Sequence, residues 1–225
     1  GEYDLLNRLV KTTNPSNKSR TYTYDAAGNV ISTKNENGQL TFLAYDASNR
    51  LVQLTNAKGF KSYMAYDAMD NMLNSKDPEG NTTTYVYDKL NRMIAATDAA
   101  GNKSQFAYDA NGNLTSDLIQ NWNDVDLVWE NSSRTVYTYD GNNNQLTFLY
   151  QYWNTTIVDW DNSGLYTYTY DAISRLTAAS ATRTTAVAGT PAPASNILNE
   201  NYSYDGLGRM SVWNDTLTNV SKTYS

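Results

Sequence analysis

The chain has 225 residues, 17 Lys and Arg against 23 Asp and Glu, and neither His nor Cys, giving a net charge of −6 and a pI near 4.6. That balance argues against nucleic acid or an anionic membrane as partner, and the missing His and Cys remove familiar acyl-transfer triads, thiol nucleophiles, zinc sites and disulfides. No apolar run is long enough to insert in a bilayer, and a mean hydropathy of −0.62 with 19 Tyr against 4 Phe suits sheets that stay partly wet.

From the N-terminus a Tyr-Asp pair recurs at a fixed interval. Tyr3-Asp4, Tyr24-Asp25, Tyr45-Asp46, Tyr66-Asp67, Tyr87-Asp88 and Tyr108-Asp109 are each 21 residues apart. The pair continues at Tyr139-Asp140, Tyr170-Asp171 and Tyr204-Asp205, with steps of 31, 31 and 34. A period in this range marks a repeat architecture, in which each unit is one supersecondary element resting on its neighbours. Such chains act through an extended surface more than through one pocket.

Within one repeat, from Thr82 to Gly101, Thr83, Tyr85 and Tyr87 share one strand face, with Thr84 and Val86 on the other. Asp88-Lys89-Leu90-Asn91 then reads as a type I turn closed by a residue in the left-handed region, the usual hairpin loop with a G1-type bulge. The corresponding fourth position elsewhere is Asn7, Gly28, Asn49, Asp70, Gly112, Asn143, Ser174 and Gly208. All but Ser174 are residues that tolerate positive φ cheaply. The repeated Asp is a turn-maker, accepting backbone N–H groups through its carboxylate. An apolar pair follows (Leu9-Val10, Val30-Ile31, Leu51-Val52, Met72-Leu73, Met93-Ile94), and then a second turn of the same design, as in Asp77-Pro78-Glu79-Gly80. The chain therefore reads as all-β, a repeat array of antiparallel β-hairpins. Nine units at about 4.8 Å per strand make a sheet on the order of 80 Å, which twist should coil into a spiral.

One array is expected over 1–225, with regular repeats over 1–114 and longer ones over 115–225. In the long units Trp122 and Trp153 are 31 apart, as are Trp129 and Trp160, and Glu130-Asn131-Ser132-Ser133 answers Asp161-Asn162-Ser163-Gly164 as a turn. The extra residues predict an added hairpin, with the segment from Leu146 to Gly164 reading as a strand, a tight bend near Asn154-Thr155 and a second strand. Asn143-Asn144-Gln145-Leu146 reads as one residue longer than usual. The segment from Ala186 to Ser195, rich in Ala and Pro, reads as an extended loop and the least ordered part of the chain.

Most Asp residues have a structural reason in the turns, which leaves little for a catalytic carboxylate pair. Asp124 with Asp126, or Asp159 with Asp161, are the candidates for calcium, against a reading as solvated strand ends and with no EF-hand or glycine-rich nonapeptide pattern. No cofactor motif is present. Trp122, Trp129, Trp153 and Trp160 could offer a stacking surface for glycans or a partner protein, or pack with the fold, which their recurrence with the repeat favours.

Tyr204-Asp205-Gly206-Leu207-Gly208-Arg209-Met210 and Tyr24-Asp25-Ala26-Ala27-Gly28-Asn29-Val30 resemble the YD-repeat, or rearrangement hotspot (RHS), pattern Tyr-Asp-x-x-Gly-Arg-apolar, and the resemblance runs the length of the chain. It makes Tyr24, Asp25, Gly28, Tyr45, Asp46, Tyr66, Asp67, Tyr87, Asp88, Tyr108, Asp109 and Gly112 repeat-defining residues. The family occurs in bacterial polymorphic toxins, the encapsulating components of insecticidal toxin complexes, wall-associated proteins and teneurins. It implies a β-sheet spiralling into a hollow shell, with any enzymatic activity supplied by a separate cargo domain. The toxins' self-cleaving C-terminal boundary has no counterpart here.

The expected role is a non-enzymatic shell segment of a secreted bacterial protein that encloses or scaffolds a toxin cargo. The alternative is a cell-surface adhesin or extracellular filament contacting glycans or other subunits, with a carbohydrate-active enzyme a distant third. Gly1-Glu2 runs straight into Tyr3-Asp4, and Lys222-Thr223-Tyr224-Ser225 stops where another Tyr-Asp is due. Open sheet edges are expected at both ends, to be met by further repeats of the same chain or by neighbouring copies.

Overall fold

The computed structural model describes residues 1–183, 195–205, 207–215 and 220–223, so the Ala- and Pro-rich loop expected over 186–195 lies, except for Ser195, outside the described residues. The chain is all-β and falls into two compact units, Gly1–Ala99 and Ala100–Ser225. In the first unit, β1 (Glu2–Tyr3), β2 (Leu9–Thr13), β3 (Ser19–Tyr24), β4 (Val30–Lys34), β5 (Leu40–Tyr45), β6 (Leu51–Thr55), β7 (Lys61–Tyr66), β8 (Met72–Lys76), β9 (Thr82–Tyr87) and β10 (Met93–Thr97) form a meander. Consecutive strands pair antiparallel throughout it. The second unit holds β11 (Lys103–Tyr108), β12 (Leu114–Asn123), β13 (Val128–Tyr139), β14 (Gln145–Asn154), β15 (Asp159–Tyr170), β16 (Leu176–Arg183), β17 (Ser195–Tyr204), β18 (Met210–Asp215) and β19 (Val220–Thr223), paired in the same way.

The turns dictate this pattern. Asp25 N–H donates to Asn29 O at 2.9 Å and Gly28 N–H to Asp25 O at 3.2 Å, and the same pair of bonds recurs at Asp46, Asp67, Asp88, Asp109, Asp140, Asp171 and Asp205. At the opposite ends of the strands the second turn repeats it, with Asn35 N–H to Gln39 O and Gly38 N–H to Asn35 O, both 2.9 Å. Every fourth turn residue named above has positive φ, Ser174 (64°) included. The extra residue makes a bulge, so the pairing skips one position just before each Tyr, as at Thr23/Tyr24, Ala44/Tyr45 and Ala65/Tyr66.

The packing is thin. Among the described residues the only buried apolar side chains are Ala95, Ala179 and Ala181, and no large side chain is fully buried. Strand ladders, cross-strand pairs and turn bonds therefore carry most of the stability that a thicker fold would draw from a core. In β9 Thr83, Tyr85 and Tyr87 are half-buried while Thr84 and Val86 are exposed, the alternation expected of a sheet with one covered face.

The long repeats correct three expectations. Their additional residues form no further hairpin but lengthen both legs of the existing one, with tips at residues 124–127 and 155–158. Glu130-Asn131-Ser132-Ser133 and Asp161-Asn162-Ser163-Gly164 lie inside β13 and β15, not in turns. They stay in the strands because bulges at Ile119/Gln120 and Tyr150/Gln151 set Gln120 opposite Asn131 and Gln151 opposite Asn162. There the Gln Nε2 groups donate to the Asn Oδ1 atoms at 3.0 and 2.7 Å. Finally, the turn at Asp140 has no extra residue, since Gln145 faces Tyr139 as Leu114 faces Tyr108.

Candidate functional site

Within each unit the repeated residues gather at the Tyr-Asp turns. In each turn one carboxylate oxygen accepts backbone N–H groups and the other accepts a side chain four residues on. Asp46 Oδ1 takes Ser48 and Arg50 N–H at 2.9 and 3.0 Å, and Oδ2 takes Arg50 Nε at 2.8 Å. Asp25 and Asp109 bind Asn29 and Asn113 in the same way. The donors hold these acids below the usual carboxylate range, chiefly the Asn29 and Asn113 amides at Asp25 and Asp109, the Arg50 guanidinium at Asp46 and the Arg92 backbone N–H at Asp88. These acids are ionised struts.

The residue four after the Asp also reaches the next repeat. Arg8 Nη1 donates to Asp25 O at 3.0 Å, and Arg50 Nη1 to Asp67 O at 2.6 Å and to Asp70 Oδ1 at 2.8 Å. Where Asn replaces Arg, Asn29 Nδ2 reaches Asn49 Oδ1 at 2.7 Å, and Asn71, Asn113 and Asn144 reach Asn91, Asn143 and Ser174 at 2.9 Å. The Arg guanidinium lies over the next Tyr ring: Arg8 on Tyr24, Arg50 on Tyr66 and Arg175 on Tyr204, at 4.5, 5.0 and 4.6 Å.

The Tyr completes the stitch backwards. Tyr24, Tyr45 and Tyr66 donate their hydroxyls to Leu9, Val30 and Leu51 O at 2.7, 3.0 and 3.1 Å, each the first residue of the preceding repeat's outgoing strand. Tyr139 and Tyr204 do the same to Leu114 and Leu176. The sequence reading missed both the hydroxyl bond and the Arg/Asn relay. The signal was present, since the residue five after each Tyr is Arg or Asn in all nine repeats.

The four Trp residues meet as two cross-strand pairs, Trp122 with Trp129 and Trp153 with Trp160, each edge-to-face with ring centroids 5.1 Å apart. Both pairs lean on the hairpin before them. Trp129 Nε1 donates to Gly101 O at 2.9 Å with Lys103 Nζ 4.9 Å from its ring, and the Arg134 guanidinium sits 4.5 Å from the Trp160 ring. Gly101 is tightly placed against Trp122, whose Cβ lies 3.0 Å from where a Gly101 side chain would begin. Nearby, Arg134 Nε donates to the buried Gln151 at 2.6 Å, and the Tyr137 hydroxyl to Asp117 at 2.9 Å. Burial, reinforced by that bond to Asp117, pushes the Tyr137 phenol up to about 12.

Of the four carboxylates weighed for calcium, Asp126 accepts Asn123 Nδ2 at 3.2 Å, Asp161 accepts Asn154 Nδ2 at 2.6 Å and Asp159 accepts Trp160 N–H at 2.7 Å. Among the described residues no three His, Cys, Asp or Glu side chains gather into a group that could hold a metal ion.

Antiparallel hairpins tied turn to turn by Tyr, Asp and Arg or Asn define a YD-repeat protein. The family model of the teneurin YD-shell matches residues 2–184, and the chain belongs to that family. No curated protein matches it in sequence. Among solved structures it is similar to the TcdB2-TccC3 complex at a TM-score of 0.69 and 16% identity, over 96% of this chain and 12% of that one. TcdB2-TccC3 without its hypervariable C-terminal region gives 0.60 and 15% over 94% of this chain and 14% of that one. The Photorhabdus luminescens Tc holotoxin pore gives 0.56 and 16% over 88% and 12%. At such identities the likeness establishes the fold. The chain spans only 12% to 14% of these structures' lengths.

Proposed function

We propose that the chain is a stretch of wall in a larger, secreted YD shell that encloses a toxin component, and that it performs no catalysis itself. The observation that carries this reading is the stitch between repeats, in which Tyr, Asp and Arg or Asn are spent on holding one repeat to the next. A wall needs such residues in every unit, whereas an enzyme needs a few in one place. The teneurin YD-shell match and the likeness to Tc toxin structures support the enclosing role. In this reading the Trp pairs brace neighbouring hairpins, and the partners of the wall are further repeats and the enclosed component.

Protease protection of the full-length polypeptide tests the proposal. A segment other than the repeats is expected to survive digestion under native conditions and to be cut once mild denaturant opens the wall. Digestion of everything outside the repeats at the native rate would count against enclosure.

A further inference from the structure

The tips of the two long hairpins break the rule that the other turns among the described residues obey. In the first, Asn123 Oδ1 accepts Val125 and Asp126 N–H at 2.9 and 3.1 Å; in the second, Asn154 Oδ1 accepts Thr156 and Ile157 N–H at 2.9 and 3.3 Å. Each turn then closes through a residue in the left-handed region, Leu127 at φ 54° and Val158 at φ 57°. All other positive-φ residues among those described are Gly, Asn, Asp or Ser. A β-branched or bulky aliphatic residue there is strained, and the nine Tyr-Asp turns show that this protein has Gly and polar residues for the task.

The strain gains no packing. Leu127 and Val158 are 69% and 70% exposed, beside Val125 at 89% and Ile157 at 59%. Exposed apolar side chains also occur in Tyr-Asp turns, at Leu6, Met69, Leu90 and Ile173, but on backbone that is not left-handed and carries no such cost. Strain that yields only exposed aliphatic surface is best explained by something that covers that surface. The hairpins are consecutive and joined by the β13–β14 ladder from Ser133↔Tyr152 to Tyr139↔Gln145, so both tips stand on the same edge of the sheet.

Charge narrows the partner. Residues 1–99 hold 11 acidic and 11 basic side chains, while residues 100–225 hold 12 acidic and 6 basic, so the whole net charge of −6 lies in the second unit. Asp124, Asp126 and Glu130 flank one tip and Asp159 and Asp161 the other, while the nearby cations Lys103 and Arg134 lie over the Trp129 and Trp160 rings lower on the hairpins. An aliphatic crest between carboxylates repels an anionic membrane and suits an apolar face bordered by cations. We infer that the two tips form a docking surface for a basic, apolar-faced segment of another protein.

The test uses the 225-residue chain and two short fluorescent peptides, one alternating Lys and Leu, the other Glu and Leu, followed by anisotropy at low and at physiological salt. The parent is expected to bind the Lys peptide and not the Glu peptide. Leu127→Asn with Val158→Asn is expected to weaken binding at least about tenfold while raising Tm by roughly 2–4 °C for each kcal/mol of strain released. That rise separates lost binding from lost folding. Asp124→Asn with Asp126→Asn and Asp159→Asn is expected to weaken binding and flatten its salt dependence. Unchanged binding by the Asn pair, or equal binding of the Glu peptide, would overturn the inference. So would phosphatidylcholine vesicle binding abolished by the Asn pair, which would make the crest a membrane surface. Self-association of the parent lost in the Asn pair would also overturn it, by making the occupant a second copy.

Discussion

Four residues after each Tyr the backbone is left-handed whatever side chain stands there: Gly28 at 94°, Asn49 at 62°, Gly112 at 93° and Ser174 at 64°. A Cβ added at Gly28 or Gly112 meets nothing within 4 Å, so substitution there is opposed by backbone strain alone. Gly28→Val should therefore destabilise the protein by about 1–3 kcal/mol, and Gly28→Asn by less than about 1 kcal/mol. Thermal unfolding separates them, and a Val variant melting with the parent would refute the turn geometry. This position was legible because only a few residue types accept positive φ, and they recur on the period. Leu127 and Val158 were not legible, because an aliphatic residue carries no turn signal of its own.

The hairpin is the unit that the stitch assembles. Tyr66 spans from its own strand to Leu51 O at 3.1 Å while its ring carries Arg50 at 5.0 Å, so one side chain links two repeats through a polar and a π contact. Tyr66→Phe keeps the ring and loses the hydroxyl, and should cost about 0.5–1.5 kcal/mol, read as a lower urea midpoint at unchanged slope. An unmoved midpoint would show that the hydroxyl bond adds nothing. Strand order and both turns of the regular repeat were legible from alternation and turn chemistry. The role of this Tyr was not, since its recurrence before Asp shows that it is needed but not where its hydroxyl reaches. The bend near Asn154-Thr155 was legible, but the turn expected after it was misplaced for a related reason. Asn131, Ser132 and Asn162, Ser163 have the composition of a turn, and only the cross-strand Gln–Asn bonds show why they stay extended.

For the molecule as a whole, with no large side chain fully buried among the described residues, each repeat depends mainly on its neighbours, and stability should grow as a sum of repeat and interface contributions. That arrangement suits a wall that lengthens by adding units. The family was legible from the Tyr-Asp period, and the YD-shell match over residues 2–184 agrees with it. The aliphatic crest of the long hairpins was not, because it depends on exposure and backbone strain. Cryo-electron microscopy of the full-length polypeptide tests the enclosing role most directly. These repeats are expected to form part of a closed wall around density from another segment. An open rod of repeats with no lumen would contradict the role and favour a filament.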